Sequence, residues 1–575
     1  MKRLLASLFV MLLLMPIPVF ALDQADLLRK IEALSKELEK LKQQMQELQQ
    51  KEVQKEERIT VVEKKAEEAK EASGWLSWLE IGGDYRGRLD SLSGKVHDYV
   101  QYNPFCVSQS SCISFPNSPA HGLTTTFLAS GQPGFKAEND ALFTNRLGLN
   151  LKAKPIEDIT VKDRLLMYKV WGHDTMTPVQ GNFFADRAFG PFDGITGHVP
   201  SGNTLRVDQA YVTWTNIADQ PVWFSIGRRP STKGRPSNLR YNTEWIGTAG
   251  IPSLMVDYAF DGATFGVAPD IEFLPGAYAK ICYGRGFDSG FRTPANSIKD
   301  TDFLGLNVVP YQTENIHVEL QWQKGFNIFT SPSDGFPQRI DTGLMAGDPP
   351  SGSFIEVITP VKTNLGDIQW LGGLITGKID RLGPGTLNLF LSAAMSRTEP
   401  NNNLFELPFA VITGGPAPII VNGGFGLLYD DCDPQTPGGQ CKKKRTGSAI
   451  YLGGRYDITS TGTKIGAEYN HGSKYWIGMV PAADDIWTSK LGTRGDVYEA
   501  YAIQELGWLK PITKKAKAFF RLGYQYYKFD YTGSNNWVGA PKNIDDLNTA
   551  DPTKTQLLAP LKNAKNIYFS FDVQF

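Results

Sequence analysis

Histidine is scarce in this chain, and the six residues present (His97, His121, His173, His198, His317 and His471) are scattered. None falls in a His-Glu-x-x-His pattern or at paired ligand spacing, so no metal site of that kind is expected. Cysteine is nearly as rare, at five residues. No Cys-x-x-Cys-His occurs, which excludes covalent attachment of a c-type haem. No Gly-rich phosphate loop leads from a strand into a helix. Neither sign of charge is in excess, with 59 basic and 60 acidic residues. That balance argues against a nucleic-acid binder, which needs a basic surplus or patch. Beyond the first residues no run approaches 18 apolar residues, so the mature chain is expected to lack a spanning helix. These absences together point away from an enzyme, a cofactor carrier and a helical membrane protein.

What is present is strand and turn chemistry. Aromatic residues reach 11%, glycines number 57, and only 41% of residues are apolar. The last nine residues show the pattern most clearly. Ile567, Phe569, Phe571, Val573 and Phe575 alternate with Tyr568, Ser570, Asp572 and Gln574. A period of two marks a strand with one apolar and one polar face. Nine to eleven such residues, tilted, cross a bilayer.

The chain in order supports that reading. Lys2 and Arg3 precede an apolar run, and Pro16 and Pro18 precede Val19-Phe20-Ala21, as in a secretory signal peptide over residues 1–21. Residues 22–73 read as a periplasmic coiled coil. Leu27, Ile31, Leu34, Leu38, Leu41, Met45 and Leu48, then Ile59, Val62, Ala66 and Ala69, keep four-three spacing. An oxidising compartment suits two small disulfide loops, Cys106–Cys112 and Cys432–Cys441, with Cys282 left over.

From residue 74 to 575 period-two strands dominate. One face of the first strand carries Asp84, Arg86 and Arg88, opposite Ile81, Tyr85 and Leu89. Arg146 and Lys152, then Glu319 and Gln321 beside His317, then Lys464 and Glu468, and finally Arg521 fall on polar faces of later strands. Seven short connections alternate with eight long ones, the habit of outer-membrane barrels. Trp214, Trp223, Tyr311 and Trp508 stand beside short turns and are expected to form an interfacial girdle. The fold class is therefore an all-β antiparallel transmembrane barrel of about 16 strands (16–18), preceded by an α-helical coiled coil. In this count residues 261–262 form a short turn, and residues 263–284, interrupted by Pro269 and Pro275, form one span. A barrel of this size is expected to leave an aqueous channel.

The third long connection concentrates charge: Arg228, Arg229, Lys233, Arg235 and Arg240 lie there with only Glu244 nearby. Arg228 and Arg229 alternate in direction, so at most one follows its strand's polar face. The preceding hairpin, Ala210-Tyr211 followed by Gly227-Arg228-Arg229-Pro230, resembles that of substrate-specific bacterial outer-membrane porins. The order of coiled coil, Gly-Asp-Tyr-Arg first strand and Phe-Thr-Asn-Arg-Leu second strand is similar to a little-characterised porin-like proteobacterial family. The resemblance implies a third loop folded into the lumen, with these five basic residues at the constriction, and a homotrimer. Clustered Arg and Lys in a pore favour anions.

The expected function is an outer-membrane porin for small hydrophilic solutes, weakly anion-selective, in contact with outer-membrane lipid and a candidate for peptidoglycan binding through its coiled coil. It needs no cofactor. Two other readings compete: a barrel sleeve around an electron-transfer partner, and a surface adhesin or anchor using residues 396–447. The terminal Phe575 resembles the aromatic read by outer-membrane assembly machinery. Deleting Phe575 is expected to reduce the folded, heat-modifiable band in membrane fractions, and normal insertion would count against this role.

Overall fold

Strands whose side chains alternate between apolar and polar can bury both faces only if one meets lipid and the other a shared interior. The computed structural model shows that solution. It describes residues 78–575 except 103–128, 173–199, 201, 244–252, 294–297, 330–338, 342–353, 357–362, 404, 412–418, 431–442, 481, 483, 510–515, 551–553, 555 and 557–558. The expected signal peptide, the coiled coil and both cysteine pairs lie outside the described residues.

Sixteen strands form one closed antiparallel barrel. They are β1 (Leu79–Val96), β2 (Lys136–Ile156), β3 (Ile159–Val170), β4 (Arg206–Trp214), β5 (Val222–Arg228), β6 (Asp261–Val267), β7 (Tyr278–Phe287) and β8 (Thr301–Gln312). The second half comprises β9 (Ile316–Phe329), β10 (Asn364–Leu382), β11 (Gly385–Pro400), β12 (Thr446–Ile458), β13 (Thr463–Gly472), β14 (Gly495–Glu505), β15 (Lys517–Phe529) and β16 (Leu561–Gln574). Each strand pairs with its sequence neighbours, and β1 closes the ring by pairing with both β2 and β16. The last residue joins this seam: Gly83 N–H donates to Phe575 O at 2.8 Å, and Phe575 N–H donates back to Gly83 O at 3.0 Å. No strand edge is left open in the ring.

The strand count agrees with expectation, but one stretch differs. Residues 254–260 read as a wall strand ending in a turn at 261–262. Instead they run inside the barrel, and Asp261 opens β6. The span interrupted by Pro269 and Pro275 is two strands, β6 and β7, joined by residues 268–277. The two misreadings cancel in the total. Their cause is physical: Leu254, Met255, Val256, Tyr258 and Phe260 are all buried, so the segment is apolar on both faces and carries no period to reveal its place.

The outward face is apolar around the ring. Ile226, Phe265, Leu320, Leu371, Leu522 and Ile567 all point out and are exposed. So continuous an apolar band fits lipid, not water. Trp214 and Trp508 stand exposed beside short turns, as expected for a girdle. Trp223 does not: its ring lies inside, over Gly266 and beneath Arg229. Among the described residues no helix is long and apolar enough to cross a membrane. Leu371 sits mid-wall, paired with Trp322 and Met395. Leu371→Arg should cost about 2–4 kcal/mol, read as a lower urea midpoint of the folded barrel in lipid.

Candidate functional site

Among the described residues, two segments that turn into the barrel carry most of the site. The first follows β5. Because β5 is only seven residues long, the chain leaves the wall at Arg228 and turns inside. Arg229 then stacks over Trp223 (5.1 Å) and Tyr211 (5.7 Å), lumen-facing residues of the strands it has just left. Lys233 lies over the Tyr278 ring at 4.9 Å, at the end of β7 that follows the short connection 268–277. After a helical turn at Ser237–Arg240 the chain returns as residues 253–260. There the Val256 backbone is held at both ends by Gln321 of β9, which donates to its carbonyl (3.0 Å) and accepts from its N–H (2.7 Å).

The second segment joins β13 to β14. Its Trp476, Ile477, Met479 and Val480 pack with Leu254, Met255, Phe303, Ile328 and Trp370 in one buried cluster. The Trp476 indole donates to Leu491 O at 2.7 Å and the Trp370 indole to Ile477 O at 2.9 Å, so the polar handles of these rings are satisfied. Arg494 ends the segment. Its guanidinium donates to the carbonyls of Trp476, Thr532, Gly533 and Asn536, tying this loop to the next. Burial with only carbonyl partners pushes its pKa down to about 9.

Between these segments and the wall lies a buried ionic network centred on Asp484 and Asp485. Asp484 adopts a left-handed conformation (φ 79°), which aspartate tolerates better than most residues. Both its oxygens accept from Arg86 of β1, one at 2.8 Å, and Arg146 of β2 approaches at 3.2 Å. Asp485 accepts from Arg240 at 2.9 Å, from Gln525 at 2.9 Å and from the Lys490 N–H at 2.9 Å. Arg240 also reaches Glu499 (2.9 Å), as do Lys490 (2.7 Å) and the Tyr568 hydroxyl (2.7 Å). Lys490 also pairs with Glu468. On the other side Arg164 bridges Asp84 (2.8 Å) and Asp208 (3.5 Å). Gly148 makes room for that bridge, since a Cβ there would sit 2.3 Å from Asp84 and 2.5 Å from Arg164.

The residues singled out in the sequence fall in three groups. Arg86, Arg88, Glu319, Gln321, Glu468 and Arg521 face the interior and are buried, covered by the inward segments. Asp84, Arg146, Lys152 and Lys464 face the interior and are part-buried; Lys152 pairs with Glu80 (3.0 Å) and Lys464 with Glu505 (2.7 Å). The basic third-loop residues separate. Arg228 stays at the wall, 3.6 Å from Asp261, and Arg240 enters the ionic network. Arg229, Lys233 and Arg235 stay together, with Lys162 of β3 within electrostatic reach of Lys152, Arg229 and Lys233. Burial, and then Arg235, lowers the Lys233 pKa; burial also lowers that of Arg235, despite Glu319 nearby. The barrel's size predicts an aqueous channel without fixing whether it is open; in the described half next to the long connections the interior is a packed core. Asp484, Asp485, Lys490 and Glu499 were not singled out in the sequence. Their one signal is an apolar run, Trp476 to Val480, in a loop that would otherwise meet water.

Asp257 offers a pH handle on the first segment. Its carboxyl accepts from the Thr232 N–H at 2.6 Å, and burial raises its pKa to about 6. The unfolded value is about 3.9. The neutral form favoured in the folded state therefore contributes fully below about pH 4 and is lost as pH rises through the folded value. Limited proteolysis within residues 229–260 should be slower at pH 5 than at pH 7.5. Asp257→Asn should flatten that difference.

Comparison with known proteins adds distant solved structures. The chain is similar to OprB of Pseudomonas putida in its high-pH structure, with 10% identity over 86% of this chain and 94% of that one and a TM-score of 0.38. It is similar to an anion-selective porin from Comamonas acidovorans, with 9% identity over 86% and 99% of the two chains and a TM-score of 0.36. OmpT of Vibrio cholerae gives 11% identity over 86% and 97%, with a TM-score of 0.32. At this identity these likenesses add nothing to the strand pairing described above. No curated protein matches the chain. A family profile does match, over residues 136–575, from the second barrel strand to the final residue. The chain belongs to that family, described as a protein of unknown function (DUF3373).

Proposed function

We propose that this protein is an outer-membrane channel for small hydrophilic solutes that rests with its outer half closed by its own loops. The observation that carries this reading is the contrast between the two halves of the interior. The outer half is packed with Trp476, Met479 and Trp537. The periplasmic half keeps Lys152, Lys162, Arg229, Lys233 and Arg235 on or near its surface. Arg229 Nη1 and Arg521 Nη2 are buried donors with no acceptor among the described residues, as expected where an anion or water is held. Weak anion preference follows from that excess of basic groups. Opening requires the segment between β13 and β14 to leave Arg86, Arg146 and Arg240, so Asp484 and Asp485 act as the latch. Residues 22–73 form the periplasmic coiled coil and the barrel assembles as a homotrimer in this proposal, on the strength of the heptad pattern and the porin resemblance.

The sleeve reading is disfavoured, because a sleeve needs an interior free for its partner and here the chain's own loops occupy it. Planar-bilayer recording tests the channel reading. Wild type should show rare openings, and Asp484→Asn should open at least about tenfold more often, since losing one partner of a buried pair costs about 3–5 kcal/mol. Reversal potentials in a salt gradient should indicate anion preference that falls when Arg229 and Arg235 become Ser. Silent bilayers for both proteins, or cation preference unchanged by the serines, would overturn the proposal.

A further inference from the structure

A lysine cluster lies on the outer wall, where β1, β2 and β16 meet above the lipid-facing band. Lys95 of β1 is directly opposite Lys136 of β2, and Ser93, two residues back on the same face, is directly opposite Lys565 of β16. The three ammonium groups therefore share one face of the sheet as direct and diagonal neighbours. Like charges directly opposite each other destabilise a sheet unless an anion sits between them. The local carboxylates answer only part of this charge. Glu138 pairs with Lys136, and Asp545 pairs with Lys562 at 2.8 Å. Asp98 is turned to the Gly134 N–H, and His97 contacts the Asp98 carbonyl at 2.9 Å. Among the described residues Lys95 and Lys565 have no carboxylate partner.

The cluster has a cavity. Lys95, Lys136, Lys562 and Lys565, with Val96 and Phe135, line a recess of about 630 Å³. Its height on the wall is set by register. Lys565 is one outward position above Ile567, which begins the lipid-facing row Ile567, Phe569, Phe571. The step is about 7 Å along the strand. Beside that row Phe143 stacks on Trp171 at 5.2 Å, and both rings are exposed. A ligand seated here would hold its anion on the lysines and its apolar part on the row below.

We infer that this recess binds the phosphorylated headgroup of a lipid in the outer leaflet, through Lys95, Lys136 and Lys565. The assignment uses the outer-membrane placement and is independent of whether the barrel conducts. Lysine suits it as a strongly hydrated point charge that meets phosphate without fixed geometry. The acyl chains lie against Leu89, Phe143 and Ile567.

Reconstitution into phosphatidylcholine nanodiscs, with or without lipid A (an acylated bis-phosphorylated disaccharide), tests this. Lipid A should raise the unfolding temperature of wild type, and the rise should disappear in Lys95→Gln/Lys565→Gln. In phosphatidylcholine alone that variant should unfold at the wild-type temperature or above it, because removing like charges relieves repulsion. This separates lost binding from lost folding. Lys95→Arg/Lys565→Arg should keep the effect. An equal rise in wild type and the glutamine variant, or the full rise from inorganic phosphate alone, would overturn the assignment.

Discussion

Two adjacent carboxylates, Asp484 and Asp485, keep the inside of this barrel assembled. The wall and the third loop bring Arg86, Arg88, Arg146, Arg164, Arg240 and Arg521 into a closed space, and every one is part-buried or buried. Two like charges 4 Å apart at an effective dielectric of 20 repel by about 4 kcal/mol. Such a ring is tolerable only with carboxylates among its members. Burial raises the pKa of Asp484, but Arg86 and Arg146 outweigh burial and hold it well below the usual carboxylate range. The charge therefore persists at any physiological pH. Because Asp484 serves the wall and Asp485 serves the third loop, both inward segments depend on the same two residues.

Around that centre the interior is layered. Toward the outer end Leu92, Leu142, Val170 and Val497 replace charged residues on the inward faces of β1, β2, β3 and β14 and pack against Ile486, Trp487 and Ile544. A strand such as β1 therefore changes its inward chemistry along its length. Asp84, Arg86, Arg88 and Asp90 give way to Leu92 and Val96. The outward face of β1 is apolar up to Leu89 and turns to Ser91, opposite Ile567, and then to Ser93 and Lys95.

Much of the wall was legible because it obeys one rule, a period of two with lipid on one side. Ile316 to Gln323 and Ile567 to Gln574 follow that rule without exception. The short turns other than the one expected at 261–262 were legible because the long connections alternate with them. The inward segments were not, and for a single reason: a chain buried on all sides loses periodicity. Residues 254–260 were read as wall for that reason, and Trp476 to Val480 passed as an ordinary loop. The network centre was invisible because its members are far apart in sequence. Arg86 and Asp484 are separated by 398 residues, and nothing local marks either as the partner of the other. Arg240 was legible as a basic residue of the third loop, but its partners Asp485 and Glu499 were not.

The wall is not equally tall around its circumference. β2 has 21 residues, whereas β4, β5 and β6 have nine, seven and seven. Seven residues reach about 24 Å along the strand and about 17 Å along the membrane normal at a 45° tilt, against a hydrocarbon thickness of about 30 Å. The outward residues there, Val212, Ile226 and Phe265, are apolar and exposed. The same early exit that sends the third loop inside thus leaves a hydrophobic mismatch on one flank. Lipid beside β4–β6 must thin or tilt to match it, at a cost that rises with each ångström of shortfall. Among the described strands, that flank is where the bilayer is displaced most cheaply.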